Sequence, residues 1–259
     1  FNFKSKMKAA MHRREFLRIL AAGAAGLSLA GFGLGGSQTS AKPNVLCIII
    51  DDLNDWVGCM GGHPDARTPN IDRLAARGNL FTNAHSSAAL CGPSRTSFLT
   101  GLKPSTTGVY GNRDHWQNTV PNITTMPRHF KNNGYYTAGG GKIFHGGTND
   151  SEAWDEFFTS WGNNPKPKGA PLQGIAGKNG LFDWGPVDAS DAEMGDWRTV
   201  DFISERLAEE HAKPFFLAAG IFRPHLPWYA PRKYFERFPV ASVTLPKVKE
   251  DDLADMPEA

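Results

Sequence analysis

Val45 to Ile50 is a continuous apolar run that ends at the acidic pair Asp51-Asp52. With no polar position on either side, so short a run predicts a strand buried on both faces. Thr68-Pro69 supplies an N-cap followed by a first-turn proline. Ile71, Leu74 and Ala75 then recur at helical spacing, and Gly78 is expected to stop that helix. Leu80 to Ala84 predicts a second strand, Met126 to Asn133 a helix closed by Gly134, and Tyr135 to Ala138 a third strand. From Trp154 to Gly195 the periodicity fails, and the Asn, Pro, Lys and Gly of residues 163–169 predict a long surface excursion. Asp196 to His211 restores helical spacing through Val200, Ile203 and Leu207. Pro214 closes that helix, and Phe215 to Ala219 predicts a buried strand. The tail, Lys247 to Ala259, is charged and predicts no element. Short apolar runs alternating with amphipathic segments predict an α/β domain with a central, mostly parallel sheet flanked by helices.

Residues 1–41 follow a different rule. Lys4, Lys6, Lys8, Arg13, Arg14 and Arg18 stand there against Glu15 alone, so the rest of a chain with net charge +2 is mildly acidic. That balance gives no electrostatic reason to expect nucleic acid as a partner. His12-Arg13-Arg14-Glu15-Phe16-Leu17-Arg18 leads into a Gly/Ala/Leu-rich run from Ile19 to Gly36, then Thr39-Ser40-Ala41. The order is charged region, apolar region and small-residue cleavage site, as in a signal peptide. The arginine pair before Phe-Leu resembles a twin-arginine export signal, with His12 where Ser or Thr is usual. An uncleaved anchor is the alternative, but the run is rich in glycine and borderline in length for a span. Residues 1–41 are therefore expected to be an export signal delivering residues 42–259 to the periplasm or beyond the cell. Residues 1–6, ahead of Met7, are read as outside the fold. Cys47, Cys59 and Cys91 are too few for a disulfide scaffold, and Cys47 reads as a buried thiol.

Candidate chemistry gathers where strands end. In open α/β sheets, sites form beyond the carboxyl ends of the strands. Asp51-Asp52, then Lys142 and His145, then Arg223-Pro224-His225-Leu226-Pro227 each follow a predicted strand. A fourth group, Cys91-Gly92-Pro93-Ser94-Arg95, opens a short helix running through Leu99, and free amides at a helix start favour anions. Acids, bases and a cysteine around such a start suit a charged ester. His115 and Trp116 read as packed loop residues more than as the wall of a sugar pocket.

Cys91-Gly92-Pro93-Ser94-Arg95-Thr96-Ser97-Phe98-Leu99-Thr100-Gly101 resembles the Cys-x-Pro-Ser-Arg-x-x-x-Leu-Thr-Gly signature of type I sulfatases at every fixed position. Pro43 to Leu46 with Asp51-Asp52, Thr68 to Ala75, and Gly141-Lys142-Ile143-Phe144-His145 are similar to the same family, in the same order. The last of these, with Arg223 to Pro227, most resembles the iduronate-2-sulfatase branch. The resemblance covers roughly residues 43–245 and implies an alkaline-phosphatase-like fold and hydrolysis of sulfate esters on sulfated polysaccharide or glycosaminoglycan sugars.

It further implies that a formylglycine-generating enzyme oxidises Cys91 to formylglycine. One hydroxyl of the hydrated aldehyde attacks sulfur, and the other lets sulfate leave when the aldehyde re-forms. Calcium, a six- to eight-oxygen cation, is implied at Asp51, Asp52 and residue 91. Arg95 is implied to hold the modified residue, Lys142 and His225 to bind sulfate, and His145 to assist collapse of the diol. The family's later Asp-His or Asp-Asn pair and second lysine have no counterpart after His225. The chain is accordingly expected to be the N-terminal part of a catalytic domain, inactive alone and weak in calcium binding. Phosphodiester or phosphonate monoester hydrolysis by the same superfamily, and binding of anionic sugar without turnover, are the alternatives.

Overall fold

A four-stranded, wholly parallel sheet organises the computed structural model, which describes residues 42–159, 164–170, 182–252 and 254–256. Its strands are β1 (Val45–Ile50), β2 (Tyr136–Gly141), β3 (Glu156–Phe158) and β5 (Phe215–Ile221), in the order β1-β5-β2-β3. A second parallel pair joins β4 (Trp184–Val187) to β6 (Trp228–Pro231). Helices α1 (Pro69–Ala75), α2 (Cys91–Thr100), α3 (Met126–Asn132) and α4 (Gly195–Ala208) are the described helices of seven residues or more. The export reading of residues 1–41 lies outside the described residues.

Alternation along β5 gives each sheet face its own core. Phe216 and Ala218 point to one side, where Phe130 of α3 stacks on Phe216 at 4.4 Å and Leu99, Ile143 and Trp154 are among the buried residues of the cluster. Leu217 and Ala219 point to the other, against Ile203 and Phe202 of α4. Phe216 and Leu217 are essentially closed to solvent, each worth about 2 kcal/mol in apolar burial. His115 and Trp116 lie outside the candidate site: Trp116 is buried, and its indole N–H donates to the Thr148 carbonyl at 2.9 Å.

Several expectations are corrected. β1 is covered on one face only, where Val45, Cys47 and Ile49 are half-buried, because α4 packs over β2 and β5 and stops short of β1. Leu46 and Ile48 are 42% and 54% exposed, and β1 is a sheet edge among the described strands. Leu80–Ala84 is not a strand. Phe81 is exposed, and the following residues use local bonds instead, His85 to Asn83 at 2.8 Å and Ser86 to the Ala88 carbonyl at 2.6 Å. In α1, Leu74 faces solvent, and Thr68 Oγ1 serves Asp72 and the Gly58 amide in place of a helix amide. The excursion after Trp154 contains β3 and β4. β3 adds to the sheet edge beside β2 through three residues, too few to show a period.

Glycine at two positions brings β2 and β5 together at their carboxyl ends. Gly141 has φ +73°, and a Cβ there meets the Gly220 carbonyl at 2.1 Å. A Cβ on Gly220 meets the Lys142 backbone at 2.2 Å. Only residues without a side chain let Lys142 leave β2 directly across β5. Among the described residues no helix is long and apolar enough to cross a membrane.

Candidate active site

Three strand ends and one helix start converge on a cavity of about 600 Å³. Its walls include Asp51, Asp52, Cys91, Arg95, Asn112 and His225. The parallel sheet makes this possible, since β1, β2 and β5 all deliver their carboxyl ends to the same side. The Asp51 amide continues the ladder to the Ile221 carbonyl at 3.0 Å, placing its side chain beyond the strand. Asp52 follows at φ +56°, the single non-glycine residue at positive φ among those described. Such a conformation costs about 1 kcal/mol and aims Asp52 to the cavity side.

Asp51 is the centre of the cluster. Arg95, one turn into α2, donates to Asp51 Oδ1 at 2.7 Å and to the Ile143 carbonyl at 2.9 Å, and also reaches the Lys142 carbonyl. Lys142 donates to Asp51 Oδ2. Arg95 thus ties the start of α2 to the turn after β2 and to the end of β1. Burial by itself pushes the Asp51 carboxyl up. The hydrogen bonds and charges of Lys142 and Arg95 outweigh that and hold it below the usual carboxylate range. For Cys91 burial wins. It pushes the thiol up despite Lys142 and Arg95 nearby, so the encoded side chain stays a thiol and a weak nucleophile at neutral pH.

His225 is held by the loop after β5. Asp196, in the first turn of α4, accepts the amides of Phe222 at 2.7 Å and Arg223 at 2.9 Å. Arg223 in turn donates to the His225 carbonyl at 2.8 Å, and the loop turns through cis bonds before Pro224 and Pro227. His225 Nδ1 lies 2.6 Å from the Leu226 carbonyl, which can only accept, so Nδ1 carries the proton. Nε2 then faces Asp51 at 4.0 Å and Asp52 at 3.8 Å.

Of the seven residues singled out from sequence, five line the cavity, and Lys142 acts on it from behind Asp51. His145 lies close enough to feel Lys142, Arg95 and Asp51. Burial first, and those cations second, keep its ring neutral below the usual histidine range. Its Nδ1 is buried without a hydrogen-bond partner. One sequence argument fails outright: the start of α2 offers no row of free amides. The Gly92 amide donates to Asn112 Oδ1 at 2.7 Å, Pro93 has none, and the Ser94 amide bonds to the Leu90 carbonyl at 3.0 Å. Positive charge at this site comes from Arg95 and Lys142. Asn112 and Asp196 were missed, because a turn asparagine and a first-turn aspartate carry no distinguishing pattern.

Comparison with known proteins decides the family. The family model described as Sulfatase matches residues 43–253. The chain belongs to the sulfatase family. A sulfatase from Formosa agariphila is 39% identical over 242 residues, covering 83% of this chain and 46% of that relative. Iduronate 2-sulfatase of Mus musculus is 37% identical over 231 residues, covering 85% and 41%. This sulfatase chain therefore spans less than half the length of the curated relatives it matches. The crystal structure of phosphonate monoester hydrolase of Agrobacterium radiobacter superposes with TM-score 0.59 at 21% identity, covering 79% of this chain and 45% of that one. The structure of BT4656 with D-glucosamine-2-N,6-O-disulfate gives 0.50 at 26% identity, covering 71% and 35%. The chain shares the fold of these structures, a parallel sheet flanked by helices, as the sequence implied.

The sulfatase site suits a divalent cation. Donor atoms of Asp51, Cys91 and His225 lie within 4.8 Å of one another, and Asp52 adds a carboxylate beside them. The two acids are the hard oxygen donors calcium takes; the thiol is not. The residues fit calcium on condition that position 91 carries oxygen in place of sulfur.

Proposed function

We propose that the protein carrying this chain hydrolyses sulfate esters on sulfated carbohydrate, with Cys91 converted to formylglycine and calcium held by Asp51 and Asp52. The observation that carries the reading is the buried Asp51–Arg95–Lys142 cluster open to a cavity bearing Cys91 and His225. Two cations with exposures of only 4% and 3% face one buried carboxylate there. Asp52, half-exposed at the same cavity, balances the formal charge, so it is the fixed position of the two buried cations that stabilises negative charge on a departing sulfate.

Each residue then has a task set by its position. Arg95 holds Asp51 and the backbone at Lys142–Ile143, fixing residue 91 relative to the cations. Lys142 shares its charge between Asp51 and substrate sulfate. His225, its Nδ1 proton fixed on the Leu226 carbonyl, binds a sulfate oxygen or protonates the leaving oxygen only as an imidazolium, when Nε2 carries a proton to donate. Neutral His145 supplies a base behind Lys142. Formylglycine supplies a hydrated aldehyde as the nucleophile. Calcium, held by Asp51 and Asp52, would supply charge that orients this nucleophile.

Similarity to iduronate 2-sulfatase and to a structure holding a disulfated glucosamine supports a sulfated sugar as substrate. Delivery outside the cytoplasm, by a twin-arginine route, rests on the leader sequence. Arg13→Lys with Arg14→Lys is expected to retain the protein inside; continued export argues for a general secretory route. The hydrolytic reading is tested by parallel assays with an aryl sulfate, a phosphodiester and a phosphonate monoester. Sulfate turnover at least about tenfold above the other two supports it, and the reverse order assigns the site to phosphoryl chemistry.

A further inference from the structure

We propose that the chain as encoded, with Cys91 a free thiol, carries a site for a thiophilic divalent cation, zinc above all, built from Asp51, Cys91 and His225. These residues come from the end of β1, the start of α2 and the loop after β5, so the fold alone assembles them. One donor atom from each lies within 4.8 Å of the others, a spacing a single ion bridges after small side-chain rotations.

The histidine is already set for the task. Its Nδ1 proton is committed to the Leu226 carbonyl at 2.6 Å, leaving the lone pair of Nε2 on the side of Asp51 and Asp52. A backbone carbonyl on the far nitrogen is how metal-bound histidines are oriented. Asp51 is equally fixed by Arg95 and Lys142, and its two oxygens keep lone pairs beyond those two bonds.

Sulfur, imidazole nitrogen and one carboxylate form a three-ligand set with an open fourth position, the arrangement zinc adopts when it also binds water. Calcium, which takes oxygen, gains nothing from the thiol or the imidazole. Asp52, half-exposed beside His225, either takes the fourth position or leaves it to water. On binding, the Cys91 S–H bond breaks, a sulfur–zinc bond forms and the proton leaves to solvent, with no change of oxidation state. Lys142 and Arg95 beside the ion weaken the site relative to a closed structural zinc centre.

The consequence is a cation choice made by the chemistry of residue 91. The thiol selects zinc, and an oxygen-bearing residue selects calcium. Zinc on the thiol also shields it, so zinc competes with oxidation of Cys91. The zinc site does not depend on the hydrolytic reading, because it concerns the encoded side chain; the calcium half of the choice rests on that reading.

The test uses the full chain, made without a cysteine-modifying enzyme and stripped by a chelator. Cobalt(II) is expected to bind one equivalent, with a near-ultraviolet sulfur-to-cobalt charge-transfer band that zinc then removes. Cys91→Ser should abolish the band, and His225→Asn should weaken cobalt binding at least about tenfold. In the unsubstituted chain, zinc should slow alkylation of Cys91 at least about tenfold, read by peptide mass. Calcium at the same concentration should leave that rate unchanged. A missing band, a band that survives Cys91→Ser, or Cys91 labelled equally fast with and without zinc overturns the proposal. Equal protection by calcium and zinc overturns the thiophilic assignment.

Discussion

Asp51 and Asp150 are both buried acids held by an arginine, at 6% and 3% exposure, and they do opposite work. Asp150 accepts from Arg128 Nε at 2.9 Å and from Thr125 Oγ1 at 2.6 Å, while Arg128 also pairs with Glu152 at 2.9 Å. One cation there meets two carboxylates, and the bonds pin the start of α3 to the loop after β2. Asp51 instead meets two buried cations and opens on a cavity that also holds a thiol and an imidazole. Burial and pairing are common to both, so neither marks a site. What distinguishes Asp51 is a buried cation on each of its oxygens, beside a cavity that holds a second carboxylate and a reactive group.

The contrast is sharpest in turnover. In the protein carrying this chain, Cys91→Ser should lower aryl sulfate hydrolysis more than about a thousandfold, whereas Asp150→Ala should leave turnover per folded molecule unchanged. Urea unfolding should reverse the ranking. Asp150→Ala should cost about 2 kcal/mol, mainly by leaving the buried Thr125 hydroxyl unpaired, since Arg128 keeps Glu152, and Cys91→Ser less than about 1 kcal/mol. Equal losses of stability from both substitutions would erase the distinction.

The two buried cations predict a ligand effect of intermediate size. Inorganic sulfate at ten times its Kd should stabilise the chain by about 1.4 kcal/mol over chloride at matched ionic strength. Lys142→Gln should remove that increment; its persistence would place sulfate elsewhere. The smallest effect belongs to surface carboxylates. Hydrogen bonds from Tyr136 and Arg206 lower the Glu156 pKa, and for Asp155 the bonds from Thr137 and Lys131 outweigh burial. A carboxylate pKa that is lower in the folded chain adds stability above the unfolded value, lost as pH falls through the folded one. Denaturation midpoints should therefore fall modestly below the unfolded values of 3.8 for Asp and 4.5 for Glu, with Glu156→Gln flattening part of that slope.

How much of this was legible in the sequence follows from what each pattern encodes. β5 and the end of β1 were readable because a buried strand is a run of apolar residues, and the site acids and bases stood at strand ends. The half-covered state of β1 was not, since exposure of Leu46 and Ile48 depends on where α4 stops. β3 and β4 escaped because three or four residues show no period. The helix-start amides misled: Asn112, far along the chain from Gly92, takes the amide that an isolated helix would leave free. Cys91, Arg95, Asp51, Asp52 and His225 were read from their motifs and meet in the cavity. Their support through Asp196 and Arg223 lies in pairings that only the folded chain defines.

The central claim is that the half-buried thiol of Cys91 is a precursor and not the nucleophile. Active protein, produced with a formylglycine-generating enzyme and digested, should give the peptide containing residue 91 with its thiol mass lost and the aldehyde in its place. The modified fraction should rise in proportion to specific activity across preparations. Full activity in protein whose Cys91 peptide is entirely unmodified would contradict the account.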